Sequence, residues 1–569
     1  MNFNTTSLSY LRGSAAALFL ISTSSAAFAD TTAPCNTGAG NNSVECGVNS
    51  TADGAFSVAV GDQSSVDATG VDGVAIGAVA TATGPSTTAV GGETVATGPG
   101  TTAVGWQAQA TAERAQALGH LATAQGVRSL AVGENADAQS DNATAIGNEA
   151  IADGIDALAI GDTAIATGPS TSAIGGESVA TGAGTTAIGW RSAATAERAQ
   201  AFGHLATAQG IRSLAIGENA DAQSDNATAI GNEAIANGID ALALGDTSIA
   251  TGPSTTAIGG ESVATGAGTT AIGWRSAATA ERAQAFGHLA TAQGIRSLAI
   301  GENADAQSDN ATAIGNEAIA NGIDAIALGD TSLATGPSTT ALGGESIAQG
   351  PGATAVGWRA MATAERAQAF GHLAQATGVR STAVGEGALA SGEESLSFGN
   401  LASAAGANSA AIGNGAVATR DNQFTLGNAN NTYTTPGITS QASRNAQSGD
   451  VEIVTSDASG NLATSGINLR QVLSLGTTVE SNTAAIANNS RAISNNKSGI
   501  AMAMALDAPY VPADKQFAIS TGIGSFEGSE ALAVSMGFRI NPNTQFDAGV
   551  TYGFDNDQVG GRIGMTYAW

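Results

Sequence analysis

Residues 172–223 read SAIGGESVATGAGTTAIGWRSAATAERAQAFGHLATAQGIRSLAIGENADAQ. Within them an Ala, an aliphatic or Phe, and a Gly recur together, as Ala173-Ile174-Gly175, Ala187-Ile188-Gly189, Ala201-Phe202-Gly203 and Ala215-Ile216-Gly217. That glycine returns every 14 residues from Gly77 to Gly427, after one irregular step from Gly61. The second residue before it is Ala except at Ser397 and Thr425, and five residues after each glycine from Gly77 to Gly413 stands another Ala. A fixed short period of this kind is the mark of a repeat architecture. Each 14-residue unit divides into two halves of seven, one short strand and one turn of Gly, Asn, Asp, Ser or Thr apiece, which predicts a parallel β-solenoid with two strands per coil. Period-2 alternation separates the residue before each glycine from the Ala and Gly around it. The larger side chains, Ile188, Phe202 and Ile216, are expected inside the coil, with the Ala/Gly face packed closely on identical neighbours. The 26 steps from Gly61 to Gly427 make a rod of roughly 120 Å.

Composition agrees that no ordinary globular core is present. The chain has 569 residues, of which 76 are Gly, with 12% charged and 4% aromatic residues. Its net charge of −28 repels nucleic acid phosphates, so nucleic acid is excluded as a partner. At the N-terminus Arg12 precedes an apolar stretch that ends in Ala27-Phe28-Ala29, the pattern of an export signal over 1–29. Cys35 and Cys46 are the only two cysteines; in an oxidising compartment they close a short loop or link neighbouring copies. No later stretch reaches the roughly 18 apolar residues of a membrane helix, so membrane entry would have to be by strands.

A second period lies over the first. Trp106, Trp190, Trp274 and Trp358 are 84 residues apart, as are His120, His204, His288 and His372, and residues 190–273 nearly repeat as 274–357. Counted from the glycines, Trp190 and His204 occupy the first turn position in successive coils, followed by Glu218, Asn232 and Asp246 in the same column. Arg198 and Arg212 occupy the ninth position. Trp106, Trp190, Arg191, Arg198, His204, Arg212, Trp274, Arg275, His288, Trp358 and His372 therefore form a candidate ligand patch that recurs along the rod. The plainer reading of the same positions is solvated turn residues, with Glu197 pairing locally or across copies and Trp190 covering an edge. No Ser/His/Asp or Cys/His arrangement, metal-ligand spacing or phosphate loop accompanies them, so neither an enzyme nor a cofactor is expected.

After Gly427 the lattice stops. Residues 429–468 are irregular, with short β-like runs such as Val451–Thr455, and read as a connector. A period of seven then places Val472, Val479, Ile486, Ile493 and Ile500 at one heptad position and Leu475, Asn482, Asn489, Asn496 and Ala503 at the other. β-Branched residues at a with polar d positions predict a parallel coiled coil whose Asn residues fix register and strand number. The end of the chain alternates in four runs, 516–526, 529–540, 544–554 and 558–569, each apolar on one face and small or polar on the other, as in membrane β-strands. Four strands cannot close a barrel, whereas three chains would supply twelve.

The mature chain resembles the trimeric autotransporter adhesins, the YadA-like family. The resemblance rests on the S-L-A-I-G-type repeats, the stalk pattern Val479-Glu480-Ser481-Asn482-Thr483, and an anchor with a small-residue helix (499–506), Pro509 and Pro512, four strands and the terminal Trp569. It implies an all-β trimeric head, a short trimeric coiled-coil stalk and a twelve-stranded outer-membrane barrel that exports the head. The domains are then a signal peptide (1–29), an N-terminal segment with the Cys pair (30–50), head repeats (51–428), a connector (429–468), a stalk and pore helix (469–506) and a barrel anchor (507–569). The resemblance further implies anion binding at Asn482, Asn489 and Asn496, Trp569 as a signal to the barrel-assembly machinery, and a head exposed on the cell surface. Its ligand class would be host matrix, host cells, other bacteria or abiotic surfaces, with autoaggregation, biofilm and virulence as consequences. The coiled coil is only about 50 Å long, so reach comes from the head. Two rival readings are a surface protein for ice or mineral, suggested by threonine pairs such as Thr255-Thr256, and a left-handed β-helix acyltransferase. The second conflicts with a period of seven and 14 rather than six.

Overall fold

The computed structural model describes residues 35–569, so the expected signal peptide lies outside the described residues. The chain divides into two compact units, one ending at Asn431 and the other spanning Thr432–Trp569. In the first, every coil adds a three-residue strand to one sheet and a two-residue strand to another. Thr186–Ile188 and Ala193–Ala194 are followed in this way by Gln200–Phe202 and Thr207–Ala208. Successive coils pair in parallel with identical register, Ala187 on Ala201, Ile188 on Phe202 and Ala194 on Ala208. The two sheets reach 28 strands and 27 strands.

The expected interior is inverted. Ala187, Ala194, Ala201 and Ala208 are wholly buried between the sheets, whereas Ile188 and Ile216 point outward and remain 37% exposed. The reason is spatial: a coil of 14 residues brings its two sheets so close that a methyl group fills the gap. Alternation then forces the larger neighbours of each alanine out. Buried hydroxyls that share this interior bond to their own turn, Ser192 Oγ donating to the Gly189 carbonyl at 3.0 Å and Thr185 Oγ1 to that of Gly182 at 2.8 Å.

The lattice glycines are required by close approach as well as by conformation. Gly189 has φ of +135°, and a Cβ there would run into the carbonyl of Gly203 in the next coil. The N–H of Gly203 in turn donates to the Ile188 carbonyl at 2.8 Å. Both turns of each coil also place a residue in the left-handed region, as at Arg191 (φ +54°), Arg198 (φ +59°) and Thr247 (φ +50°). Bonds to the preceding coil hold these positions, Arg191 N–H to Gly176 O and Arg198 N–H to Ala183 O, both 2.8 Å. At the N-terminal end Cys35 and Cys46 are joined within the chain. Asn36 and Glu45 exchange backbone bonds of 2.7 and 2.9 Å beside them.

In the second unit the connector is more regular than its sequence suggests. It contains an antiparallel hairpin, Glu452–Ser456 with Leu462–Asn468. The hairpin turn is organised by Asp457, whose Oδ1 accepts from the N–H groups of Ser459 and Asn461, each at 2.9 Å. Asn468 ends the hairpin and caps the long helix Leu469–Ala505 in a reciprocal box with Gln471, which accounts for the abrupt change of period there. Along this helix Val479, Ile486 and Ile493 are 62%, 65% and 55% exposed. A β-branched seam left open in one chain is what a coiled-coil partner covers. Asn482, Asn489 and Asn496 are exposed on the same helix.

Four antiparallel strands follow in sequence order, Phe517–Phe526, Ser529–Asn541, Thr544–Gly553 and Gln558–Tyr567, matching the alternating runs. Ala501, Met502 and Ala505 of the helix pack on Ala531 and Ala533 of the sheet's small-residue face. Gly522 and Gly524 let the helix backbone lie directly on the first strand. Lys497 pairs with Glu527 at 3.0 Å, and Gln545 accepts from the Val511 N–H at 3.0 Å while donating to the Pro509 carbonyl. The other face is apolar and open, with Ile523 79% and Ile563 76% exposed. Among the described residues no helix is long and apolar enough to cross a membrane, which leaves crossing by strands untouched.

Replacing Gly217 by Ala should destabilise the head by on the order of 3 kcal/mol, since it adds backbone strain and overpacking at one point. Thr247→Asn should act oppositely and stabilise by about 1 kcal/mol, because Asn tolerates the left-handed region far better than a β-branched residue. Urea unfolding of the full-length protein in detergent, followed by circular dichroism, reads both.

Candidate ligand surface of the head

The turn after each lattice glycine and the turn seven residues later lie at opposite edges of the flattened coil. Trp190, Arg191 and His204 belong to the first edge. There the Trp190 and His204 rings stack with centroids 4.9 Å apart and planes inclined by 24°. His204 Nδ1 lies 3.2 Å from Glu218 Oε1. The Arg191 guanidinium sits 5.0 Å from the Trp190 ring centre and pairs through Nε with Glu177 at 3.3 Å. A methyl group at Gly176 would stand 3.1 Å from Trp190 Cδ1, so the indole rests on a coil left bare for it. Two coils further on, Asn232 donates to Asp246 at 2.9 Å. The first turn column is thus a ladder of Gly, Trp, His, Glu, Asn and Asp in which neighbours satisfy one another.

The ladder recurs with the 84-residue period. Trp274 stacks on His288 and Trp358 on His372, again at 4.9 Å, with Arg275 and Arg359 over the indoles. Trp106 and His120 also stack, but Gln107 stands where the others have Arg and donates to Glu93 at 2.6 Å. The second Gly of each Gly-Gly pair, at Gly92, Gly176, Gly260 and Gly344, lies 14 residues before each Trp. That spacing was a legible sign of an indole seat.

Arg198 and Arg212 stand on the other edge, so the expected patch is split in two. Arg198 Nη1 is 3.7 Å from the adjacent Glu197. Among the described residues Arg212 has no ion-pair partner. Ile211 and Ile239, 43% and 55% exposed, project from the same edge; sequence reasoning passed over them because isolated turn isoleucines carry no motif. Among the described residues no group of His, Cys, Asp or Glu is placed to hold a metal ion.

Three acidic residues were also missed. Asp137, Asp221 and Asp305 lie on the outward side of the two-residue strands, in a column that otherwise holds mainly Ile, Val, Leu and Thr. One oxygen of Asp221 accepts from Gln223 at 2.5 Å, and the other has no hydrogen-bond partner. Burial pushes the carboxyls of Asp137 and Asp221 above the ordinary carboxylate range, with the Gln139 and Gln223 bonds opposing it in part and Asp153 adding to it at Asp137.

The fold defines a class, a chain in which a long β-solenoid is followed by a long helix and a four-stranded antiparallel sheet. Residues 509–569 match the YadA-like membrane anchor domain, and successive stretches between residues 47 and 422 match the YadA head domain repeat. No curated protein sequence matches the chain. The chain belongs to the YadA-like family of trimeric autotransporter adhesins. Its anchor is an outer-membrane anchor, its head is exposed at the cell surface, and its domains are those of a structural rather than a catalytic protein.

A carboxyl whose pKa is raised by folding holds its proton more tightly in the folded state, so its contribution to stability improves as pH falls from neutral toward the unfolded carboxylate value. Asp221→Asn should therefore make the head more stable at about pH 7 and lose that advantage toward about pH 4. Thermal unfolding of both proteins across this range gives the difference directly.

Proposed function

We propose that three copies of the chain form one surface adhesin: twelve strands close into a barrel, the heads pass outward through it, and the three long helices then fill the pore. The observation that carries this reading is the anchor sheet. Its four strands end in two unpaired edges, and a single helix already covers its small-residue face. The exposed heptad seam of the same helix supports the same copy number. Asn482, Asn489 and Asn496 would then converge at the stalk axis, where inward amides suit a bound anion, and Trp569 would serve the assembly machinery as the final strand residue.

Attachment is assigned to the head, with host matrix, cells or solid surfaces as ligands and autoaggregation as a second outcome. The contact is placed on the edge bearing Arg198, Ile211, Arg212 and Ile239. A cation without a partner beside exposed isoleucines is better suited to an incoming ligand than the Trp edge, whose rings already contact His204 and Arg191. Contacts repeated every six coils, roughly 29 Å apart, would bind an extended polymer multivalently.

Detergent-extracted protein should have the mass of three chains by light scattering, and a monodisperse single chain would overturn the assembly. Replacing Arg212 and Arg296 by Ser should lower adhesion more than additively at equal surface display. Replacing Trp190, Trp274 and Trp358 by Ala should lower head stability by about 1 kcal/mol per site through the lost stacking and leave adhesion at matched display unchanged. A panel of matrix proteins, host cells and abiotic surfaces, read with these variants, separates the two edges.

A further inference from the structure

The helix Leu469–Ala505 is joined to the first anchor strand by the 11 residues from Leu506 to Gln516, with Pro509 and Pro512 among them. Proline supplies no N–H and bars the residue before it from helical geometry, so Pro509-Tyr510-Val511-Pro512 belongs to neither helix nor strand. Its backbone groups are met instead by side chains from two strands. Gln545 of Thr544–Gly553 accepts from the Val511 N–H at 3.0 Å and donates to the Pro509 carbonyl. Arg539 of Ser529–Asn541 donates through Nε to the Val511 carbonyl at 3.0 Å, and again through Nη2. Its Nη1 donates to the Pro542 carbonyl at 2.7 Å, so the guanidinium is itself held in place. Val511 is wholly buried and Gln545 only 8% exposed. A methyl group at Gly537 would stand 2.9 Å from both the Pro509 carbonyl oxygen and Val511 Cγ2, so bare backbone gives the segment its seat.

Left unheld, this link would carry slack. A chain of that length fully extended reaches roughly 36 Å, several times the rise of about 5.4 Å in one helical turn. The covalent connection to the first strand therefore does not by itself fix where the helix comes to rest along the sheet. Packing alone discriminates poorly as well. Ala501, Met502 and Ala505 lie on Ala531 and Ala533, and a shift of one turn would set Ala505 where Ala501 stood. We propose that Arg539 and Gln545 form a clamp that sets the depth of the helix in the pore and so fixes the point at which export stops. This rests on the pore reading above.

Other polar contacts between helix or link and sheet are less suited to that role. Lys497 pairs with Glu527 at 3.0 Å, but the two side chains are 34% and 62% exposed, and an ion pair open to water adds little. Asn556 donates to Ser494 at 3.1 Å from the turn after Gly553, and Ser520 donates to Asp507 in an exposed pair. The clamp combines a buried amide with a guanidinium whose bonds are charge-assisted. It also grips main-chain atoms that no helix or strand ladder satisfies, so releasing them strands the Pro509 and Val511 carbonyls. Held at those two residues, the link keeps only Leu506, Asp507 and Ala508 between the helix end and the clamp. The slack is thereby removed on the side where the helix would otherwise be drawn through.

The test uses the full-length protein displayed on intact cells, where Cys35 and Cys46 are already joined, with introduced cysteine pairs as depth gauges. Ser498 and Gly553 face one another, so Ser498→Cys with Gly553→Cys reports the helix at its native depth. Ala505→Cys with Gly553→Cys reports a helix drawn outward by about two turns. After mild oxidation, the share of thiols protected from a maleimide reagent should be high for the first pair and low for the second. Adding Arg539→Ala and Gln545→Ala should lower the first and raise the second severalfold, in trimers that still assemble and display the head. Arg539→Lys in place of Arg539→Ala, which keeps a cation for the Val511 carbonyl, should recover most of the native reading. Lys497→Ala should leave both gauges as they were. Unchanged gauges in the Arg539 and Gln545 variant, or an equal shift with Lys497→Ala, would overturn the clamp. If that variant fails to assemble, Gln545→Glu decides: it retains the acceptor for the Val511 N–H and removes the donor to Pro509, and a native reading there would equally overturn the clamp. An extracted mass of one chain would remove the pore reading and the clamp with it.

Discussion

The close approach of successive coils at the lattice glycines governs the head. With Gly189 against the Gly203 carbonyl, two sheets can be drawn around an interior one methyl deep. That distance selects Ala at both inward strand positions, and Ser or Thr where a hydroxyl can bond back to its own turn. Backbone bonds from each coil to the last, such as Gly203 N–H to Ile188 O at 2.8 Å, supply the continuity that a larger core provides in a globular domain. Every coil is then held by its neighbours and by little of its own, as in other solenoids. The left-handed turn residues are tolerated for the same reason: the preceding coil fixes the N–H groups of Arg191 and Arg198.

So thin an interior leaves a surplus of apolar surface outside, and the same surplus appears in each part of the chain. The head exposes Ile188 and its column, the long helix exposes Val479, Ile486 and Ile493, and the anchor sheet has two strand edges with no partner. Among the described residues no element of the single chain covers any of these. Trimer formation, implied by the anchor family, meets all three demands with one symmetry. The wholly local contacts of the solenoid and the apolar columns left open on its outside are two sides of one constraint.

Much of this was legible in the residues. The 14-residue lattice gave the coil and the strand pairing, the heptad gave the helix, and strict alternation located four strands to within a residue or two. The side facing inward was not legible, because alternation says that Ala187 and Ile188 point opposite ways without saying which way is in. Only the width of the coil decides that, and width is a property of two sheets together. Of the connector hairpin only the first strand showed in sequence, as the β-like run Val451–Thr455; its partner Leu462–Asn468 escaped because it is exposed for most of its length, with no buried face to impose a pattern. The ladder from Trp190 to Glu218 could be counted in sequence, yet its separation from Arg198 and Arg212 depends on which turn joins which sheets.

That separation bears on how conspicuous residues should be weighed in a repetitive chain. Trp190, His204 and Arg191 stand out by rarity, but rarity in a background of Ala, Gly and Thr marks any position where a larger group is accommodated. Here the accommodation is visible, since Gly176 is bare beneath the indole, His204 covers it, Glu177 pairs with Arg191 and Glu218 lies against His204. A group whose interactions are so nearly complete within its own chain has little left to offer a soluble ligand. Arg212, whose side chain has no ion-pair partner among the described residues, and Ile239, exposed at a turn, retain more of their interaction capacity. Unspent interaction capacity, rather than chemical prominence, is the better guide to where a surface of this kind makes contact.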